Sequence, residues 1–249
     1  MLTAVLVHGG TLTSTMWDAV RSNMVVPSLA VDLPGRRYNP ADLAQVHLDD
    51  WVASVCDDIA AAGLTDVALV GHSSGGYALP GVAARLHAQG TVTIGSVVFV
   101  AATVPADGMR PLDYLRDDIR TLAAENRDAV VDSARGRTIG GLRPGEPPIS
   151  TSLEIVENGP RMGLEAPGPL FDTVSWAGYP FDVPRYYVRC LRDKVIPPEL
   201  ADTMIANIRG AVVIDIDAGH RAYDSVPEEV AAVIDRCCGA PTDANPGRG

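Results

Sequence analysis

Short β-rich runs alternate with amphipathic helical stretches along most of this chain, the pattern produced by parallel strands joined through crossover helices. The predicted strands are Thr3 to Val7, Val25 to Val31, Val67 to Val70, Ile94 to Val100, Tyr186 to Cys190 and Ala211 to Ile216. Between the second and third, Leu48, Trp51, Val52, Val55, Ile59 and Ala62 recur at three- and four-residue intervals. That spacing puts them on one helix face, packed on the sheet. Gly76 to His87 and Pro227 to Cys237 follow the same rule. The expected fold class is α/β with a mostly parallel sheet, and 249 residues suffice for one domain with a well-buried core.

The alternation breaks between about Pro105 and Pro184. That stretch opens with a polar helix candidate, Pro111 to Arg127, passes through the Gly-, Pro- and Arg-rich Gly136 to Pro148, and ends in the Gly- and Pro-dotted Gly163 to Pro184. An insertion of this size in a regular βαβ chain is a lid or binding region more often than sheet. The expected organisation is therefore a core of residues 1–104 and 185–238, a lid or cap at 105–184, and a disordered tail at 239–249, where the residues are small, polar and rich in Pro and Gly.

The formal net charge of −11 disfavours nucleic acid, whose phosphates need Lys and Arg, and gives a bilayer surface little to attract. No apolar run approaches the roughly 20 residues of a membrane helix, and Met1 to His8 reads as a strand rather than a leader. Cys56, Cys190, Cys237 and Cys238 lack the paired spacing of a zinc site and are expected to be reduced. The expectation is a cytoplasmic protein acting on a small molecule, without metal or cofactor, its assembly open between monomer and homodimer.

Gly71-His72-Ser73-Ser74-Gly75-Gly76 has the G-x-S-x-G form, with Ser73 at its centre. It follows the apolar run Val67 to Val70 and precedes a helical stripe, the strand–turn–helix context this motif requires. Side chains two positions either side of Ser73 would collide in so sharp a turn, which accounts for the glycines. The turn exposes the Ser73 hydroxyl above the sheet and aims a helix N-terminus at it, where positive partial charge favours a developing oxyanion. His72 suits packing or hydrogen bonding beside the turn, and Ser74 suits donation of its backbone N–H.

A neutral serine is a poor nucleophile and needs a base that titrates near pH 7. His47 and His87 lie in or beside helical stretches, and His8 ends the first strand, where a backbone role suits it. His220 follows Ala211 to Ile216 through Asp217-Ala218-Gly219, on a loop at the C-terminal edge of the last strand, so it is the expected base. A carboxylate must then hold its tautomer. Asp193, after Tyr186 to Arg192, comes between nucleophile and base in chain order; Asp215 and Asp217 compete but share the strand and loop of His220. Glycines in His8-Gly9-Gly10-Thr11 let backbone N–H groups approach a carbonyl oxygen, so Gly10 with Ser74 forms the expected oxyanion hole. Gly9, Thr11 and Arg221 are expected to line the substrate site.

These residues resemble the α/β-hydrolase superfamily, and within it the branch of plant methylesterases and hydroxynitrile lyases with their bacterial relatives. The similarity lies in VLVHGGTLTSTMW (Val5 to Trp17), VALVGHSSGG (Val67 to Gly76), VFVAATVPAD (Val98 to Asp107), YYVRCLRDKVIPP (Tyr186 to Pro198) and AGHRAYDS (Ala218 to Ser225). The resemblance implies an α/β-hydrolase fold, with a mostly parallel twisted sheet, helices on both faces and a helical lid insertion. It also implies a Ser73–His220–Asp193 triad with Gly10 and Ser74 as oxyanion donors. The lyases carry Thr after the first-strand histidine and Lys after the catalytic one, where this chain has Gly9 and Arg221. Gly9 looks like the esterases, and a guanidinium cannot donate a proton as an ammonium does. Hydrolysis of a small carboxylic ester or lactone through an acyl-enzyme is the expected function. The alternatives are a cofactor-free lyase or cyclase in the same pocket, or a non-catalytic ligand receptor on this scaffold.

Overall fold

In the computed structural model, residues 2–135 and 165–240 are described, and among them six strands form one sheet. The strands are β1 (Thr3–Val7), β2 (Ser28–Val31), β3 (Asp66–His72), β4 (Thr93–Val100), β5 (Arg185–Cys190) and β6 (Val212–Ile216). Their order is β2-β1-β3-β4-β5-β6 and every neighbouring pair is parallel. The longer helices are α1 (Leu48–Ala61), α2 (Leu79–Gln89), α3 (Asp117–Glu125), α4 (Arg127–Ala134), α5 (Pro198–Ile208) and α6 (Pro227–Cys237).

The central strands are continuous apolar runs because both of their faces are covered. Alternate residues point to opposite sides. Val5, Val7, Val67 and Leu69 join one core with Trp51, Val55, Leu79, Val82 and Met204 from α1, α2 and α5. Ala4, Leu6, Ala68 and Val70 join the other with Trp17, Val230 and Ile234, the last two from α6. All four cysteines are buried and unbonded.

Three elements differ from the sequence reading. The second strand begins at Ser28 rather than Val25, because the Val25 and Val26 N–H groups donate to Asp235 Oδ2 (2.8 Å) and Oδ1 (3.0 Å) on α6 instead of to a strand. The helix expected from Gly76 starts at Leu79, since Ser73–Tyr77 forms a tight 3₁₀ turn first. The polar helix expected over Pro111 to Arg127 is three pieces: a 3₁₀ turn at Pro111–Tyr114, then α3 and α4, with extended backbone at Leu115 and Arg116 and a break at Asn126 (φ −110°, ψ 22°). The Gly/Pro/Arg-rich stretch 136–148, residues 163–164 and the tail beyond residue 240 lie outside the described residues.

Asp235 is buried and ties the last helix to the lead-in of the edge strand. Asp235→Ala leaves two N–H donors without their acceptor, and the expected cost is about 2 kcal/mol of unfolding free energy. Urea denaturation checks this; a midpoint equal to that of the parent protein refutes it.

Candidate active site

β1 and β3 are neighbours where the strand order reverses, the position at which a parallel sheet opens a crevice at its C-terminal edge. Ser73 follows β3 immediately, with φ 51°, a left-handed conformation that costs a non-glycine residue energy. The turn is dense enough to exclude side chains. A Cβ on Gly75 would lie 2.6 Å from the His8 carbonyl oxygen, and one on Gly71 would lie 3.0 Å from the Gly75 carbonyl oxygen. The Thr103 N–H donates to the Ser73 carbonyl (3.1 Å) and ties the turn to the segment after β4.

Three side chains from three strand ends converge here. Ser73 Oγ is 3.0 Å from His220 Nε2, and His220 Nδ1 is 2.7 Å from Asp193 Oδ2. An ionised carboxylate only accepts, so Nδ1 carries the proton and Nε2 is left to accept from the serine hydroxyl. Asp193 is itself fixed: its Oδ1 accepts from the Val195 (2.7 Å) and Ile196 (2.9 Å) N–H groups. The competing carboxylates are engaged elsewhere, Asp215 with Arg189 (2.8 Å) and Asp217 with Arg192 (2.8 Å).

The other histidines support this arrangement or stand away from it. His72 Nε2 donates to the His220 carbonyl (2.9 Å), and its ring meets Trp17 and Tyr223 edge-on. His8 Nδ1 donates to the Gly9 carbonyl (2.8 Å) while Nε2 accepts from the Leu33 N–H (3.1 Å). Burial pushes His72 down to about 3, with the His220 charge adding to it, and pushes His8 down to about 4, with Arg36 adding to it. Both are neutral where the protein is folded at neutral pH. His47 is exposed and pairs with Asp172 (3.1 Å).

For an oxyanion hole, Ser74 is the second residue of the 3₁₀ turn, where an N–H has no acceptor within the helix. The Gly10 N–H likewise has no acceptor among the described residues. Gly9 lies directly behind Ser73: a Cβ there would come within 2.7 Å of His72 Nδ1 and 3.1 Å of Ser73 Cβ. Thr11 is buried, while Arg221 pairs with Asp224 on its own turn and lies over the Tyr223 ring (5.8 Å).

Arg36 and Glu165 were not anticipated. Arg36 is fully buried after β2 and its Nη2 pairs with Glu165, whose other oxygen accepts from the Thr11 N–H (2.5 Å). No spacing rule links residues so far apart; the one available signal is that Arg36 follows the C-terminal end of a strand. Among the described residues no group of three or more His, Cys, Asp or Glu is arranged to hold a metal ion.

The sequence profile of the alpha/beta hydrolase family matches residues 4–233. The chain belongs to that family. This hydrolase is 26% identical to a pyrethroid hydrolase of Sphingobium wenxiniae, over 96% of this chain and 88% of the relative. It is 24% identical to methylesterase 17 of Arabidopsis thaliana, over 90% of this chain and 86% of the relative. Among solved structures, an extracellular alpha/beta-hydrolase from a Paenibacillus species, described as sharing homology with tobacco salicylic acid binding protein 2, superposes with TM-score 0.73. That likeness, at 21% identity over 95% of this chain and 99% of the other, concerns the fold. No helix among the described residues is long and apolar enough to cross a membrane.

Two outcomes follow from the geometry of the hydrolase. Gly9→Ala forces a methyl against His72 and Ser73, an overpacking worth roughly 1–3 kcal/mol, so ester turnover should fall at least tenfold (about 1.4 kcal/mol) while the protein stays folded; unchanged turnover refutes the contact. The depressed histidines also set a pH dependence of stability. Between their folded values and the unfolded value of 6.5 the unfolded chain binds more protons, so stability is lost as pH falls below 6.5. The loss is about 2 kcal/mol per histidine at pH 5. Melting temperature should drop from pH 7.5 to 5, and drop less in His72→Gln, which cannot titrate; identical drops refute the assignment to His72.

Proposed function

We propose that this hydrolase cleaves a small carboxylic ester or lactone through an acyl-enzyme on Ser73. The observation that carries the reading is the continuous chain of contacts from Ser73 Oγ through His220 to Asp193. His220 Nε2 takes the hydroxyl proton as Oγ attacks the carbonyl carbon, and Asp193 stabilises the imidazolium that forms. The carbonyl π electrons move to oxygen, and the Gly10 and Ser74 N–H groups donate hydrogen bonds to the oxyanion that results. Collapse expels the alkoxide, which leaves with the proton held on His220. A water, deprotonated by the same nitrogen, then attacks the acyl carbon, releases the acid and returns the proton to Ser73.

The ester-cleaving relatives support this substrate class, because a pyrethroid hydrolase and methylesterases match nearly the full length of the chain. Substrate selection is assigned to the insertion at 105–184, which leaves the sheet after β4, returns before β5, and brings Glu165 to the loop after β1. A cytoplasmic site of action fits the four unbonded thiols.

Hydrolysis of a short-chain aryl ester by the purified chain is the test. Ser73→Ala should lower turnover by roughly 10³-fold or more and abolish labelling by a fluorophosphonate. Turnover equal to that of the unsubstituted chain would remove Ser73 from the mechanism.

A further inference from the structure

The loop after β1 is held in an uncomfortable shape. The Leu12 N–H donates to the Gly9 carbonyl (3.3 Å), closing a turn whose third residue, Thr11, has φ 59°. A positive φ there is the mark of a type II turn, in which glycine is the usual occupant; a β-branched threonine adopts it only under outside constraint. The constraint is Glu165. Its Oε2 accepts from the Thr11 N–H at 2.5 Å, and its Oε1 takes the Arg36 guanidinium and the Ala166 N–H (3.0 Å). A Cβ on Gly10 would lie 3.1 Å from that same Oε2 and 3.2 Å from Ser74 Oγ, so the carboxylate and the Ser74 hydroxyl both rest against Gly10.

A bare carboxylate in this position would oppose a developing oxyanion. Arg36 resolves the conflict. It is 0% exposed, it follows β2, and Glu165 is the one hydrogen-bond partner of its guanidinium among the described residues, with Nε and Nη1 unpaired. Its positive charge offsets that of Glu165 without contacting the triad.

We propose that Glu165, anchored by Arg36, is a positioning residue for the oxyanion hole: by accepting the Thr11 N–H it holds the Gly9–Leu12 turn in the form that presents the Gly10 N–H to substrate. Because Glu165 belongs to the 105–184 insertion while Gly10 follows β1, the contact links the seating of the insertion to catalytic competence. The inference rests on the hydrolase reading above.

The test compares Glu165→Ala and Glu165→Gln with the unsubstituted chain, using a short-chain aryl ester and an aryl trifluoromethyl ketone whose hemiketal oxyanion occupies the hole. Glu165→Ala should lower kcat roughly tenfold or more, a fraction of the loss caused by deleting a donor outright. KM should change far less, and ketone affinity should fall in parallel with kcat. Glu165→Gln has a single amide oxygen for the two sides that the carboxylate serves, and the Arg36 guanidinium with the Ala166 N–H draws it, so an NH2 donor faces the Thr11 N–H and kcat should fall as in Glu165→Ala. Since Glu165→Ala strands a buried guanidinium and can fail to fold, the double variant Arg36→Met/Glu165→Leu supplies an apolar replacement of the pair; it should fold and show the same loss of kcat and of ketone affinity. Folded Glu165→Ala, or the folded double variant, with kcat and ketone affinity within about twofold of the unsubstituted chain overturns the proposal. In that event ester turnover by the unsubstituted chain leaves the hydrolase reading standing, whereas an unsubstituted chain that neither cleaves esters nor binds the ketone removes both.

Discussion

The pairing of β1 with β3 governs everything at the catalytic edge. Val7 lies beside Gly71 in a parallel ladder, so the two strands run out at the same level and the loops that follow them must share one small space. Into that space go the His8-Gly9-Gly10 backbone from one side and the Ser73 turn from the other. There is room for both because the residues that meet are glycines: Gly75 packs on the His8 carbonyl and Gly9 on Ser73. The strain at Ser73 is sustained by this packing and by the Thr103 contact, which together allow the turn no relaxed alternative.

Most of this arrangement was legible in the sequence, for physical reasons that differ from residue to residue. Strands were readable because two-sided burial writes an uninterrupted apolar run, as at Val67 to Val70. Ser73 was readable because its turn imposes glycines at fixed offsets, and His220 because a small flexible linker follows a strand. Asp193 came from chain order, and its contact with His220 needed coordinates. What could not be read depends on long-range partners. Val25 and Val26 have strand-like side chains, yet their N–H groups are captured by Asp235, some 210 residues away. Pro111 to Arg127 has helical composition throughout, but composition carries no signal for the break at Asn126.

Glu165 and Arg36 show the same limit at the site itself. Neither belongs to a motif, and each makes sense only beside the other: a guanidinium without exposure needs a counter-charge, and a carboxylate against the oxyanion turn needs one as well. Two histidines, His8 and His72, complete the surroundings, and burial keeps both neutral at neutral pH. On the proposed mechanism, the carboxylate that meets the charge formed on His220 is that of Asp193, 2.7 Å from Nδ1.

The packing of the cysteines bears on how this protein meets electrophiles. Burial raises Cys56 and Cys237 to about 11 and Cys190 and Cys238 to about 12. The thiolate, the reactive species, is then about one part in ten thousand or less of each at pH 7. The thiols, ordinarily the softest nucleophiles in a protein, are shut away here, and on the proposed mechanism an acylating or phosphonylating reagent entering from solvent meets the half-exposed Ser73 hydroxyl instead.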